Sequence, residues 1–135
     1  MIHKLSHTTI YVLDQERAKA FYTEKLGFEV GTDQTMGNFR WLTVAPKGQS
    51  ELEIVLMAVD SAPALDEPSR AALRRLVEAG KMGSAVFETK DCRKTHAELS
   101  ARGVVFKTEP EERFYGIEAL FQDDSGNWFS LTQRK

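Results

Sequence analysis

Two side chains at the start of strand-like runs are of the types that ligate metals and move protons: His7 in His7-Thr8-Thr9-Ile10-Tyr11-Val12, and Glu53 in Glu51-Leu52-Glu53-Ile54-Val55-Leu56. His7 reads as a metal ligand, as a general base or substrate hydrogen-bonding group, or as a polar residue satisfied in a cavity wall. Glu53 carries the same readings, and Glu51 shares its strand face, so a slip of two residues would exchange them. Two inward carboxylates would raise at least one pKa through desolvation and like charge, which suits a general base; at the open end of a strand Glu51 is simply solvated. Phe39, Trp41 and Trp128 alternate onto one face of their strands, either as core filler or as an aromatic pocket for a flat or apolar ligand. The pocket is the preferred reading, because each indole N–H buried in one small core would need its own partner. Arg113 could clamp an anion or pair with Glu111 or Glu112, whereas Arg40, on the face opposite Trp41, reads as exposed. Cys92 lies where a strand hands over to a helix, with no histidine paired to it in sequence, and reads as structural. His96 reads as a surface residue and His3 as part of a frayed end or near a dimer contact.

The elements that must position these groups follow from periodicity. Leu5 to Leu13 puts Ile10 and Val12 on one face and His7, Thr9 and Tyr11 on the other, as a strand does. Asp14 is an N-cap, Gln15 to Leu26 has Ala18, Phe21, Tyr22 and Leu26 at helical spacing, and Gly27 stops the helix before Phe28-Glu29-Val30 extends. The pattern recurs: Gly83 to Thr89 as a strand, Asp91 as a cap, Cys92 to Arg102 as a helix with Ala97 and Leu99 inward, Gly103 as the stop and Val104-Val105-Phe106 as the next strand. The second helix is one residue shorter. Further strands are expected over Phe39–Ala45, Glu51–Met57, Ile117–Gln122 and Trp128–Thr132, the last two joined by Asp123-Asp124-Ser125-Gly126-Asn127. Each half is thus β-α-β-β-β. Between them a helix from about Ser69 to Ala79, with Leu73, Leu76 and Val77 on one stripe, has no counterpart in either repeat.

Composition bounds the rest. A chain of 135 residues with 41% hydrophobic residues has enough apolar side chain for one core. Lys plus Arg number 18 against 20 Asp plus Glu, for a formal charge of -2, and no basic patch appears, so nucleic acid is not an expected partner. No window approaches the length of a membrane span, and the amino terminus has no apolar targeting run. With a single cysteine, Cys92, and therefore no internal disulfide, the expected compartment is the cytoplasm.

The tandem repeat resembles the vicinal oxygen chelate superfamily, which includes glyoxalase I, bleomycin and fosfomycin resistance proteins and extradiol dioxygenases. The resemblance rests on LSHTTIYVLDQERAKAFYTEKLGFEV at 5–30, WLTVAPKGQSELEIVL at 41–56, GSAVFETKDCRKTHAELSARGV at 83–104 and YGIEALFQDDSGNWFSLTQ at 115–133. It implies an α+β fold, two tandem βαβββ modules forming a curved mixed sheet around a cavity, in one domain over 1–135. The modules then run over about 3–59 and about 82–133, with a helical linker over about 60–81. It also implies a homodimer, and inward ligand positions at which His7, Glu53, Ser84 and Ser130 stand in this chain. Ser84 and Ser130 replace the His and Glu that metal-dependent members have there. By the same resemblance Arg113 and Tyr115 approach a strand that contacts substrate, and the Gly126-Asn127 pair keeps a family turn in which Asp124 and Ser125 have replaced other residues.

Neutral hydroxyls are poor ligands beside imidazole or carboxylate, so tight metal binding is not expected. The expected function is capture of a small aromatic or hydrophobic molecule, with Phe39, Trp41, Ser84, Arg113, Tyr115, Trp128 and Ser130 as ligand contacts. The alternative is a lyase, isomerase or dioxygenase in which His7 and Glu53 hold a divalent Zn, Ni, Mn or Fe ion. In it the metal polarises vicinal oxygens while a carboxylate moves a proton.

Overall fold

The structure, a computed structural model, describes residues 1–135. They form two compact units, Met1–Arg75 and Leu76–Lys135.

In the first unit β1 (His7–Val12) leads into helix α1 (Gln15–Ala20), then β2 (Glu29–Met36), β3 (Phe39–Ala45) and β4 (Glu53–Ala58). The sheet order is β1-β4-β3-β2, with β1 parallel to β4 and the other pairs antiparallel. Asp14 caps α1 by accepting the Arg17 N–H at 2.9 Å. One face of the sheet is core: Ile10, Val12, Leu42, Val44, Ile54 and Leu56 are buried, as are Ala18, Phe21 and Tyr22 of the helical segment. Gln15 latches that segment to the sheet, its amide donating to the Leu56 carbonyl at 2.8 Å and the Arg40 carbonyl at 3.1 Å.

The helix predicted as one piece from Gln15 to Leu26 changes character after Ala20. Phe21–Lys25 is a π-helical turn, with the Leu26 N–H donating to the Phe21 carbonyl at 3.2 Å. A π-bulge is how a helix takes in one extra residue. This is the residue by which the first repeat (Asp14 to Gly27) exceeds the second (Asp91 to Gly103).

Helix α2 (Glu67–Glu78) crosses the boundary between the units and starts two residues earlier than expected. Asp66, unnoticed in the sequence, accepts the Ser69 N–H at 2.9 Å, and Pro68 sits in the first turn, where it lacks nothing. Of the predicted stripe only Val77 is fully buried; Leu76 is exposed.

In the second unit β5 (Gly83–Glu88), α3 (Cys92–Ala101), β6 (Glu111–Arg113), β7 (Gly116–Gln122) and β8 (Trp128–Arg134) give the order β5-β8-β7-β6, again with one parallel pair. Phe121, Phe129, Leu131 and Ala119 form its core with Leu99 and Cys92 of α3; Ala97, expected inward, is exposed. Val104-Val105-Phe106 is not a strand. It makes one isolated bridge, Phe106 to Phe121, and Val105 is exposed. Three apolar residues are too short a run to reveal a period, and past the bridge the Lys107 and Thr108 N–H groups both turn to the Leu120 carbonyl, which interrupts the ladder until Glu111.

Candidate functional site

On each sheet the candidate polar residues stand on the face opposite the buried apolar one. On the first sheet His7 and Glu53 are direct cross-strand partners, which settles the register: Glu53 faces His7, and Glu51 precedes the strand and is exposed. His7 Nε2 lies 3.2 Å from Glu53 Oε2, and its Nδ1 is 3.0 Å from the Ser6 hydroxyl. The other carboxylate oxygen accepts the Thr43 hydroxyl at 2.7 Å, while Thr43 Oγ1 itself accepts the Thr32 N–H at 2.9 Å. Thr43 is fully buried, so the carboxylate is held by a group that cannot move.

Gly31 makes room for this arrangement. A Cβ there would stand 2.0 Å from Glu53 Oε1 and 2.7 Å from the Thr43 hydroxyl oxygen. Beside the pair runs a row of rings, His7 to Trp41 at 5.9 Å and Trp41 to Phe39 at 6.4 Å between centroids. Phe39 and Trp41 are half-buried, the state of side chains with apolar surface left to cover.

Arg40, expected exposed, is ion-paired on the opposite face. Its guanidinium meets both Asp33 oxygens at 2.8 Å and Glu16 at 2.7 Å, and Lys19 reaches Asp33 at 2.8 Å. The Arg40 guanidinium holds the Asp33 carboxyl well below the usual carboxylate range. Asp33, Glu16 and Lys19 are scattered along the sequence, so nothing local advertised the network.

On the second sheet the register breaks between Gly83 and Ala85, leaving Ser84 as the unpaired residue, and Ser130 lies opposite Val86. Ser84 and Ser130 therefore do not face each other as His7 and Glu53 do. Ser84 is 3.4 Å from the Asn127 side-chain oxygen. Ser130 is buried and donates to Glu118 Oε2 at 2.5 Å, with Thr132 Oγ1 2.7 Å away. Tyr115 donates to the other Glu118 oxygen at 2.5 Å, and that bond pushes its phenol pKa up. Glu118 was missed in the sequence, though Ala119 and Phe121 as core residues already put it on the Ser130 face.

Trp128 is half-buried under the Lys107 ammonium, 5.8 Å from its ring, and lies so close to Gly83 that a Cβ there would be 2.4 Å from the indole. Arg113 pairs with Glu111 at 2.8 Å, the surface alternative to an anion clamp. His96, expected on the surface, packs edge-on against Phe106 at 4.3 Å and lies 3.5 Å from Glu109. Burial raises the Cys92 thiol pKa, which suits a structural residue.

Asp123 builds the β7–β8 turn, one oxygen accepting the N–H groups of Ser125, Gly126 and Asn127 at 2.9 to 3.0 Å. Gly126 has φ of 112°, and a Cβ on it would stand 2.3 Å from the Val77 carbonyl oxygen.

The metal that the resemblance implies does not fit these residues. His7 and Glu53 are the only imidazole and carboxylate at the four expected positions, Ser130 is committed to Glu118, and no group of three or more His, Cys, Asp or Glu could hold an ion.

A model of the glyoxalase/bleomycin resistance protein/dioxygenase superfamily matches residues 4–131. The crystal structure of UcmS2 is similar with a TM-score of 0.92 and 52% identity, covering 98% of this chain and 99% of that one. That of TnmS3, described as an antibiotic binding protein from Streptomyces sp. CB03234, has a TM-score of 0.78 and 31% identity, covering 99% and 98%. YetH of Bacillus subtilis (strain 168) is 35% identical over 134 residues, 98% of this chain and 100% of its own length. With its two βαβββ modules and a match along nearly all its length, the chain belongs to the glyoxalase/bleomycin resistance protein/dioxygenase superfamily, the vicinal oxygen chelate group.

Proposed function

We propose that the protein captures a small aromatic or hydrophobic molecule on the first sheet, against Trp41 and Phe39, with His7 and Glu53 as its polar contacts and no resident metal. The row of rings beside a fixed carboxylate carries this reading. TnmS3, an antibiotic binding protein, is similar over nearly its whole length, which supports it. In the second unit Ser84, Trp128, Ser130, Arg113 and Tyr115 are the candidate contacts.

Size follows from the energetics. Micromolar affinity is about 8 kcal/mol, and at about 25 cal/mol/Å² that asks for about 330 Å² of apolar surface before any cost of association. One ring face is too small, so fused rings with a polar substituent are the expected ligand class. No helix is long and apolar enough to cross a membrane. We read the working form as a cytoplasmic homodimer, since each four-stranded sheet ends in edge strands, β1 and β2 in one and β5 and β6 in the other; sedimentation at micromolar concentration tests the dimer.

Titration with 2-naphthol and acridone, followed by tryptophan fluorescence, tests the binding. Saturable quenching with micromolar midpoints, weakened at least tenfold in Trp41→Ala, is expected. Zn, Ni, Mn or Fe co-purifying near one per chain and lost in His7→Ala would overturn the reading in favour of a metal-dependent enzyme.

A further inference from the structure

Glu53 also borders a cavity of about 190 Å³ in the first unit, whose other lining residues are Glu29, Val30, Gly31, Ala45, Pro46, Gly48 and Ser50, with no Lys or Arg among them. We propose that this cavity takes a small aliphatic ammonium group carried by the bound molecule, with Glu53 as its counter-ion. The proposal rests on the binding reading above and adds the chemistry of one substituent.

Charge is the first argument. The two ring nitrogens of His7 face Glu53 Oε2 at 3.2 Å and the Ser6 hydroxyl at 3.0 Å, so the imidazole takes one acceptor position of the carboxylate. No guanidinium or lysine ammonium pairs with Glu53; its other contact is the Thr43 hydroxyl. One lone pair on each carboxylate oxygen is therefore free to accept an N–H, and charge-assisted bonds of that kind are the stronger ones. Glu29 adds a second negative charge at the rim.

Shape is the second. At about 30 Å³ per water-sized group, the cavity holds roughly six heavy atoms. Ala45, on the Glu53 face of β3, and Pro46 give the lining carbon, which suits N-alkyl groups better than a hydrated ion. Gly31 is again required, because a side chain there would occupy the approach to Oε1.

Calorimetry with matched probes tests the proposal: naphthalene, naphthalene bearing a dimethylaminomethyl group, and its neutral isobutyl isostere. In the wild-type protein at pH 7 the amine should bind about tenfold more tightly than the isostere. The amine-to-isostere ratio, compared within each variant, should fall below about twofold in Glu53→Gln and remain near tenfold in Glu51→Gln. Ala45→Leu, which narrows the cavity, should weaken both substituted probes relative to naphthalene. Equal binding of amine and isostere by the wild type, or a ratio that survives in Glu53→Gln, would overturn the subsite while leaving aromatic capture intact. Failure of all three probes to bind would overturn aromatic capture itself, and the subsite with it.

Discussion

On the first sheet the carboxylate, Glu53, is on β4 and the hydroxyl that donates to it, Thr43, is on β3; on the second sheet the carboxylate, Glu118, is on β7 and the donor, Ser130, on β8. The strands are equivalent, and the roles have been exchanged. In both pairs the partners are diagonal across the ladder, since Thr43 pairs with Val55 and Ser130 with Leu120, each two residues beyond its carboxylate. The surroundings then set them apart. Glu53 has one hydroxyl and an imidazole, whereas Glu118 is closed off by the Tyr115 and Ser130 hydroxyls, with Thr132 behind. The same motif gives a charge with valence to spare in one half and an internally satisfied polar wall in the other.

A pair of glycine substitutions should break this comparison most visibly. Gly126→Ala forces a Cβ onto the Val77 carbonyl at positive φ and should destabilise the second unit by about 3 kcal/mol in denaturant unfolding. Gly31→Ala meets the flexible end of Glu53 and, at 2.7 Å, the hydroxyl of the buried Thr43. It should lower stability by about 1 kcal/mol, less than Gly126→Ala, while weakening binding of aromatic probes severalfold, because Glu53 must swing away.

Next in size, Glu118→Ala leaves the buried Ser130 hydroxyl without its acceptor and should lower stability by about 2 kcal/mol. Glu53→Ala strips one buried hydroxyl, Thr43, of its acceptor where Glu118→Ala strips two hydroxyls, and should lower it by about 1 kcal/mol. Equal losses in the two variants would mean that the two carboxylates are structurally equivalent and that the contrast drawn above is wrong.

Much of this fold was legible because the repeat is written in caps and stops: Asp14 with Gly27, and Asp91 with Gly103. The Phe106 region was not, since whether it runs on as a strand depends on the break where the Lys107 and Thr108 N–H groups share the Leu120 carbonyl, which no local period encodes. His7 facing Glu53 was reachable up to a choice of two registers, and backbone pairing made the choice. Thr43, Gly31 and Glu118 were illegible for another reason. Their roles come from neighbours across the ladder, and a threonine, a glycine or a glutamate alternating on a strand face carries no mark of what stands opposite.

The smallest predicted effect concerns acid. Because Arg40 depresses the Asp33 pKa in the folded chain, the stability this pair supplies is fully present above the unfolded carboxylate value of about 3.9 and is lost as pH falls through the lower folded value. Asp33→Asn should therefore lower stability at pH 7 and flatten the pH dependence below about pH 4, measured by urea unfolding across pH. An unchanged acid limb would show that the network of the first unit, which has no analogue around Glu118, contributes nothing to holding it.

Cys92 has one more use. It is the chain's single thiol, fully buried, with its sulfur 3.5 Å from the Leu131 carbonyl oxygen and its own backbone N–H held by Gln133 at 2.9 Å. A thiol reagent can reach it only when α3 lifts from β8, so the labelling rate clocks the breathing of the second unit alone. Tryptophan fluorescence reads both halves, through Trp41 in the first unit and Trp128 in the second. Set against the thiol labelling rate, its unfolding rate tells whether the second unit opens ahead of the rest or together with it.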